Sequence, residues 1–296
     1  MHAASECIPC LVRQAAEAIG LSEGPPERKD GILKLVLERL AAADWSGCAP
    51  ALAQEIHRII RQETGNDDPY RTVRERMNRA ALAEMSTWRG LIAKSSDPRE
   101  AIVRLAAAGN LLDSAARSNM LPEDIPQLSS LWTRPLIGDP LEVFRLAERA
   151  TRILYLADNA GEIVFDRLLI EALPSERLTL AVRGAPILND AILADAATAG
   201  ITRLSPVIGN GSDAPGTLLA DCSPEFREHF HRADLIIAKG QGNYESLDRV
   251  EGPIVFLFTV KCPPIAGQVG HPVGSLIVKK TARWQRNASR EQGTLS

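Results

Sequence analysis

The chain changes its hydrophobic period near residue 151, and no other feature constrains its fold as strongly. Up to residue 150, apolar residues recur at helical spacing. Ile32, Leu33, Leu35, Val36, Leu37 and Leu40 form one wide stripe, and Ala51, Leu52, Ile56, Ile59 and Ile60 a second. Met77, Ala80, Ala81, Leu82 and Met85 form a third, in a segment that opens at Asp68-Pro69. Asp68 before Pro69 reads as an N-cap and first-turn residue, and Asp97 before Pro98 reads the same way. Pro50, Pro122, Pro126, Pro135 and Pro140 separate the helices. No strand is expected before residue 152.

Beyond that point short apolar runs replace the stripes. Residues 153–157, 178–182, 203–208, 234–238 and 254–260 read as strands, with a sixth at 273–278. Helical patterns lie between them at 162–173, about 189–199, 224–232 and 244–249. Short, doubly buried strands alternating with helices predict an α/β fold, a mostly parallel sheet covered on both faces. Right-handed crossovers then bring the carboxyl ends of the strands to one edge, where open α/β sheets bind ligands. The Gly-, Asn- and Asp-rich segments all fall at that edge. The chain thus divides into an all-helical bundle region (1–150), an α/β catalytic region (151–280) and a polar tail (281–296).

Composition narrows the partners. With 34 Lys+Arg against 37 Asp+Glu the net charge is −3, so no basic surface is expected for nucleic acid or an anionic membrane. No apolar run approaches the roughly 20 residues needed to span a bilayer. The start, MHAASECIPC, lacks the basic-then-apolar build of a signal peptide. Five cysteines are too few, and odd in number, for a disulfide scaffold, which points to a reducing cytoplasm. No oligomeric state is read from the pattern.

Four segments could carry chemistry. Asp158-Asn159-Ala160-Gly161-Glu162 follows the first strand and offers hard oxygen donors beside a helix N-terminus, suiting Mg²⁺ or Mn²⁺ together with a phosphate. It is equally the pattern of an ordinary capped βα turn. Asp190 lies at the exit of the second strand and is either a second carboxylate ligand or an N-cap. Lys239-Gly240-Gln241-Gly242-Asn243-Tyr244-Glu245 carries two glycines that could let successive N–H groups form an anion nest. Lys261 leaves the end of an apolar strand, as a phosphate-directed charge or as a snorkelling edge residue.

The remaining candidates carry less. Cys7-Ile8-Pro9-Cys10 is a CxxC with no second half to complete a zinc site, and packing against the helical region accounts for it. His229 and His231, two apart on a helix, point to different faces. The chain has no Walker A loop, no complete GxGxxG fingerprint, no GxSxG and no HExxH.

Taken in order, the segments resemble the damage-control phosphatase family, the former domain-of-unknown-function 89 family. The resemblance runs through CIPC (7–10), AAAGNLLD (106–113), LADNAGEIVFD (156–166), RGAPILNDA (183–191), NGSDAPGT (210–217), KGQGNYESL (239–247) and FTVKCP (258–263). The N-terminal CxxC is similar to the prokaryotic-type branch of that family. The resemblance implies a Rossmann-like three-layer sheet behind a helical region, and a metal-dependent phosphatase. Its substrates would be small phosphorylated metabolites: sugar phosphates, phosphopantetheine-like compounds or damaged metabolites. Asp158, Asn159 and Asp190 would hold a divalent Mn, Co, Ni or Mg ion, and Asp158, Asn159, Asp190 and Lys261 would be catalytic. Substrate would lie against Asp158, Asn159, Gly240, Gln241, Gly242, Asn243, Tyr244, Glu245 and Lys261. Lys261 stands where the family has the lysine of an Arg-Thr-x-Lys motif, whose arginine position here is Phe258.

The attacking group could be a metal-activated water or the Asp158 carboxylate. Asn110 and Asp113 would either close the pocket or pack a helix. Two other readings compete. A dinucleotide-binding oxidoreductase rests on the sheet pattern alone, and a non-catalytic metal- or redox-binding module would be built on Cys7 and Cys10.

Overall fold

A computed structural model describes residues 1–109 and 132–281. Asn110 and Asp113 lie outside the described residues, as does the tail from residue 282. Five helices come first: α1 (Cys7–Leu21), α2 (Pro26–Ala42), α3 (Ala49–Thr64), α4 (Arg71–Ala93) and α5 (Pro98–Gly109). Then follow β1 (Leu136–Ile137), α6 (Glu142–Arg149), β2 (Ile153–Leu156), α7 (Glu162–Glu171), β3 (Leu178–Val182), α8 (Leu193–Thr198) and β4 (Val207–Gly209). The chain continues through α9 (Pro224–Arg232), β5 (Leu235–Lys239), α10 (Gly240–Leu247), β6 (Ile254–Thr259), α11 (Pro263–Val269) and β7 (Leu276–Lys280). Among the described residues no helix is long and apolar enough to cross a membrane.

The strands form one sheet in the order β1-β7-β6-β5-β2-β3-β4. The five strands from β2 to β6 run parallel, whereas β7 is antiparallel to β6 and parallel to β1. Successive side chains of β2 explain why the sheet needs cover on both faces. Ile153 and Tyr155 enter a core with α4–α7, and Leu154 and Leu156 enter a second core with Phe226, Phe230 and Tyr244. Helices α1, α2 and α3 form a third core that also takes in Tyr70, Ile187 and Leu188. The helical layer is thereby tied to the strand ends. Helix α5 instead packs on the sheet, against β6 and β7 as well as α7, and α4 packs on α7, α5 and α8.

Several boundaries differ from the sequence reading. A two-residue strand, β1, precedes residue 152, too short to carry any period. Helix α4 starts at Arg71 with Tyr70 as N-cap, so Asp68 is not its cap. Asp68 instead grips the buried Arg74 through two bonds of 2.7 Å, a charge-assisted fork that outweighs a cap worth about 1 kcal/mol. Asp97 does behave as expected, accepting from Glu100 N at 3.0 Å. The expected helix from Asn189 begins only at Leu193, because residues 189–191 pair with the end of β2. The third strand is Val207–Gly209, behind a helical turn at Ile201–Arg203.

The chain passes from β2 to β3 and β4 on one side, then returns to place β5 and β6 on the other. The topological switch point is therefore the carboxyl end of β2 beside β5, where Asp158 and Gly240 stand.

Candidate functional site

Asp158 is delivered by β2, and the turn that follows is clamped by its neighbours. Ala191 N donates to Asp158 O at 2.8 Å and Ala160 N to Asn189 O at 2.9 Å, while Asn159 and Asp190 form an antiparallel bridge. This pairing brings Asp190 to the end of β2 across one strand of sequence. Leu188, at φ 47°, takes the left-handed turn that makes the pairing possible. From behind, Asn78 of α4 accepts Gly161 N at 2.7 Å and donates to Asp195 at 2.6 Å.

Arg183, which leaves the end of β3, organises the acids and was not singled out by the sequence reading. It is 2% exposed. Its Nε donates to Asp190 Oδ2 at 2.6 Å, one terminal nitrogen to Asp158 Oδ1 at 3.3 Å and the other to Asn243 Oδ1 at 3.2 Å. A planar guanidinium suits three acceptors spread around it, which a lysine cannot reproduce. The signal was present, since Arg183 opens the RGAPILNDA segment at a strand end.

Gly240 meets Asp158 from β5. It sits at φ 81°, and a Cβ built there would lie 1.9 Å from Asp158 Oδ2. Only glycine fits both demands. The segment from Gly240 is the first turn of α10, not the open anion nest expected from its glycines. Lys239 points the other way, into the core, where it is fully buried between Glu162 at 2.6 Å and Asp166 at 2.5 Å.

A cleft of about 350 Å³ opens above these residues. Asp158, Asp190, Gln241, Gly242, Glu245 and Lys261 line it from the α/β side. Gln241 couples three parts of that wall, donating to Glu245 Oε1 at 2.8 Å and Cys262 Sγ at 3.4 Å and accepting from Lys261 N at 3.0 Å. The facing wall comes from α1 and α3, including Cys7, Cys10, Arg13 and Gln14. Helix α3 is anchored there by Asp213, which accepts from Gln54 at 2.6 Å and pairs with Arg58 and Arg61. Asp213 belongs to the 210–217 segment, so that loop fastens α3 to the strand-end side of the sheet.

Four of the ten residues predicted for the site do not line the cleft. Asn159 and Gly240 lie just beneath it. Asn243 is fully buried: its amide nitrogen holds Ala157 O and Lys239 O at 3.1 and 2.7 Å, and its oxygen accepts from Arg183 and Thr217. Tyr244 is a core residue, stacked on Phe258 at 4.7 Å and edge-on to Phe256 at 5.1 Å. Along α10, Gln241 and Glu245, four apart, share the face toward the cleft, and Tyr244 lies about 100° from Glu245 around the helix, toward the core. Phe258, at the family's arginine position, belongs to the same stack. Conversely, Cys7 and Cys10 do reach the cleft, where packing alone had been expected.

Electrostatics distinguish the acids from the thiols. Burial, with Glu162 and Asp190 nearby, pushes the Asp158 carboxyl well above the usual range against the pull of Lys261 and Arg183. Burial likewise pushes up the thiols of Cys7 and Cys262, so both are neutral at pH 7 and poor nucleophiles. Among the described residues no three His, Cys, Asp or Glu side chains are arranged to hold a metal ion. A cation here would need an amide oxygen as third donor. Asn159 supplies one: its Nδ2 faces Asp158 Oδ2 and Glu162 Oε2, and among the described residues no hydrogen bond ends on its Oδ1. Two carboxylates and a carboxamide form a hard oxygen set that fits Mg²⁺ or Mn²⁺.

The chain matches the model of the damage-control phosphatase ARMT1-like domain over residues 3–277. It is 35% identical to an uncharacterized protein of Methanocaldococcus jannaschii, across 93% of this chain and 94% of that one. It is 34% identical to a protein of Archaeoglobus fulgidus named damage-control phosphatase, across 77% and 81%. A Pyrococcus horikoshii protein of the same name is 32% identical across 92% and 96%. The crystal structure of a DUF89 family protein from Pyrococcus horikoshii superimposes with a TM-score of 0.84 at 30% identity, covering 95% of this chain and 99% of that one.

Proposed function

Because the chain belongs to the damage-control phosphatase ARMT1-like family, we propose that it hydrolyses phosphomonoesters of small metabolites with the help of a divalent cation. The substrate class is that of sugar phosphates, phosphopantetheine-like compounds or damaged metabolites. The observation that carries the reading is the meeting of Asp158, Asp190 and Lys261 in one cleft at the switch point of the sheet.

Asp158, Asn159 and Asp190 would hold the ion, as Mn²⁺, Co²⁺, Ni²⁺ or Mg²⁺. When bound, such an ion supplies a Lewis acid for a phosphoryl oxygen and favours ionisation of water. The chain's own residues do the rest. Arg183 fixes the direction of both carboxyl groups and pulls Asp158 toward its ionised form against burial. Lys261 offers a point charge to the phosphate, and its neighbour Gln241 sets the wall on which the phosphate rests. Gly240 leaves room for Asp158 to be approached. With the ion bound, Asp158 would face the cleft as a carboxylate able to attack phosphorus itself or to orient the attacking water.

The test is hydrolysis of p-nitrophenyl phosphate by purified protein, stripped with chelator and resupplied with each of the four ions. Turnover is expected only with an ion present. Asp158→Asn and Asp190→Asn are expected to lower it at least 100-fold, with unchanged circular dichroism. Turnover that persists in a folded Asp158→Asn protein, or in excess chelator, overturns the reading.

A further inference from the structure

Asn159 differs in kind from the other two residues assigned to the cation. A carboxylate presents oxygen whichever way it turns, whereas a carboxamide does so only if its NH₂ end is held elsewhere. Asn159 Nδ2 donates to Asp158 Oδ2 at 2.9 Å and to Glu162 Oε2 at 3.3 Å. Asp158 is itself assigned to the cation, so Glu162 is the acceptor that stays with the amide when an ion arrives. Glu162 stands three residues on, in the first turn of α7, and is fully buried. Its other oxygen, Oε1, takes Lys239 Nζ at 2.6 Å, and Lys239 also holds Asp166 at 2.5 Å. Glu162, Lys239 and Asp166 all lie outside the cleft lining. A buried cluster of charges is seldom the most stable filling for a core, where apolar residues of equal volume do as well or better. Its retention directly beneath the candidate site calls for another account.

We propose that Glu162, held in place by Lys239, is a positioning residue that fixes the Asn159 carboxamide with its Oδ1 turned to the divalent cation. The inference rests on the cation reading of Asp158, Asn159 and Asp190. Its logic is one of donors and acceptors. Lys239 has only donors, so it demands an oxygen from residue 162. A glutamine there must give its oxygen to Lys239 and turn its NH₂ toward Asn159. Two NH₂ groups then face each other, and Asn159 relieves the clash by turning over, which presents nitrogen where oxygen is required. Removing the ammonium as well frees the glutamine to turn its oxygen to Asn159 and restores the original direction.

The experiment measures Mn²⁺ affinity by titration calorimetry on chelator-stripped protein without substrate, alongside the melting temperature of the metal-free form. Glu162→Gln is expected to weaken Mn²⁺ binding tenfold or more. Glu162→Gln/Lys239→Met is expected to recover it to within about threefold of the unsubstituted chain. Asp166→Asn, which alters the same cluster at the end remote from Asn159, is expected to leave affinity unchanged even where its melting temperature moves. A loss smaller than fivefold in Glu162→Gln overturns the inference, as does a double variant that folds but is not rescued. Should Glu162→Gln not fold, the double variant decides alone by the same threefold criterion. Failure of the unsubstituted chain to bind any of the four ions overturns the cation reading itself, and the inference with it.

Discussion

Replacing Gly240 by alanine puts one methyl group against the central carboxylate of the site. The backbone there is at φ 81°, so the substitution first meets a left-handed conformation costing about 1–2 kcal/mol. The methyl would then lie 1.9 Å from Asp158 Oδ2 and 2.1 Å from Cγ, and the carboxyl group must retreat by about 1.5 Å to reach van der Waals contact. Asp158 is not free to retreat. Asn159 holds it at 2.9 Å and Arg183 at 3.3 Å, and loosening a bond to a charged group costs about 1.5–3 kcal/mol. Gly240→Ala is therefore expected to lower unfolding free energy by about 3–5 kcal/mol in urea titration. Turnover of p-nitrophenyl phosphate should fall by about 100-fold, since a displacement of about 1 Å at reacting groups has that effect. Gly267→Ala is the control: its Cβ meets nothing within 4 Å in α11, and it should be neutral or stabilise by up to about 1 kcal/mol. A Gly240→Ala protein that keeps a third of its turnover would refute the reasoning.

Substitutions at three other positions test separate parts of the account. Arg183→Met leaves Asp158 and Asp190 buried without their shared partner and should cost about 3–5 kcal/mol in urea titration. Arg183→Lys keeps the charge but not the three-way fork, so it should fold while losing most turnover; retained turnover would mean that charge alone suffices. Tyr244→Phe preserves the stack on Phe258 and should keep kcat/KM within twofold, whereas Tyr244→Ala should destabilise by about 3–5 kcal/mol. A large loss in Tyr244→Phe would return this residue to the site. His57 is buried, and that burial, aided by Arg61, lowers its imidazole to about 3. The unfolded chain then binds the extra proton below about pH 6.5, so stability is full above that value and is lost progressively toward pH 3. Between pH 7 and 5 the loss from this residue is about 2 kcal/mol, and in His57→Gln the urea-midpoint slope over that range should be correspondingly flatter.

Much of the fold was legible because burial on both faces leaves a period that a single sequence displays. Strands β2, β3, β5 and β6 were read at nearly their observed positions, since each is a short, mostly apolar run ended by a charged residue (Asp158, Arg183, Lys239 and Lys261). What failed was local. The start of α4 was misplaced because Asp68 has a long-range alternative, Arg74, that capping rules do not see. The helix expected from Asn189 lost its first turn to a backbone pairing with the end of β2. Strand β1 is two residues long and owes its existence to β7.

The candidate site divides in the same way. Asp158, Asp190, Gln241 and Lys261 could be found because strand ends face a common edge. Tyr244 turns into the core because it lies about 100° around α10 from Glu245, the neighbour that lines the cleft. Arg183, Glu162 and Lys239 stand in segments that the sequence marks, but their roles lie in pairings between β3, α7 and β5, which exist only in three dimensions. The sequence signals for these residues were their types: a charged side chain at the buried end of a strand must find partners or unfold the core.

The near-zero net charge of the chain, −3 over 296 residues, is compatible with an anionic substrate because the relevant charges balance over a few ångströms. With an ion bound, Asp158 and Asp190 would together carry two negative charges and share Arg183, which leaves one. A divalent cation would turn that deficit into an excess of one positive charge, and Lys261 would add a second, matching a phosphomonoester dianion. The cluster beneath is balanced by the same rule: Lys239 lies between Glu162 and Asp166, and burial with Glu162 raises Asp166 to about 7 against the opposing pull of Lys239, so that this acid holds a proton part of the time at neutral pH. The buried cluster is thus close to neutral, and the pair that lines the cleft is the group that a cation would complete. A basic surface would attract every anion in its surroundings. An internal deficit of this kind would attract a cation first and then the phosphate that the cation and Lys261 could share.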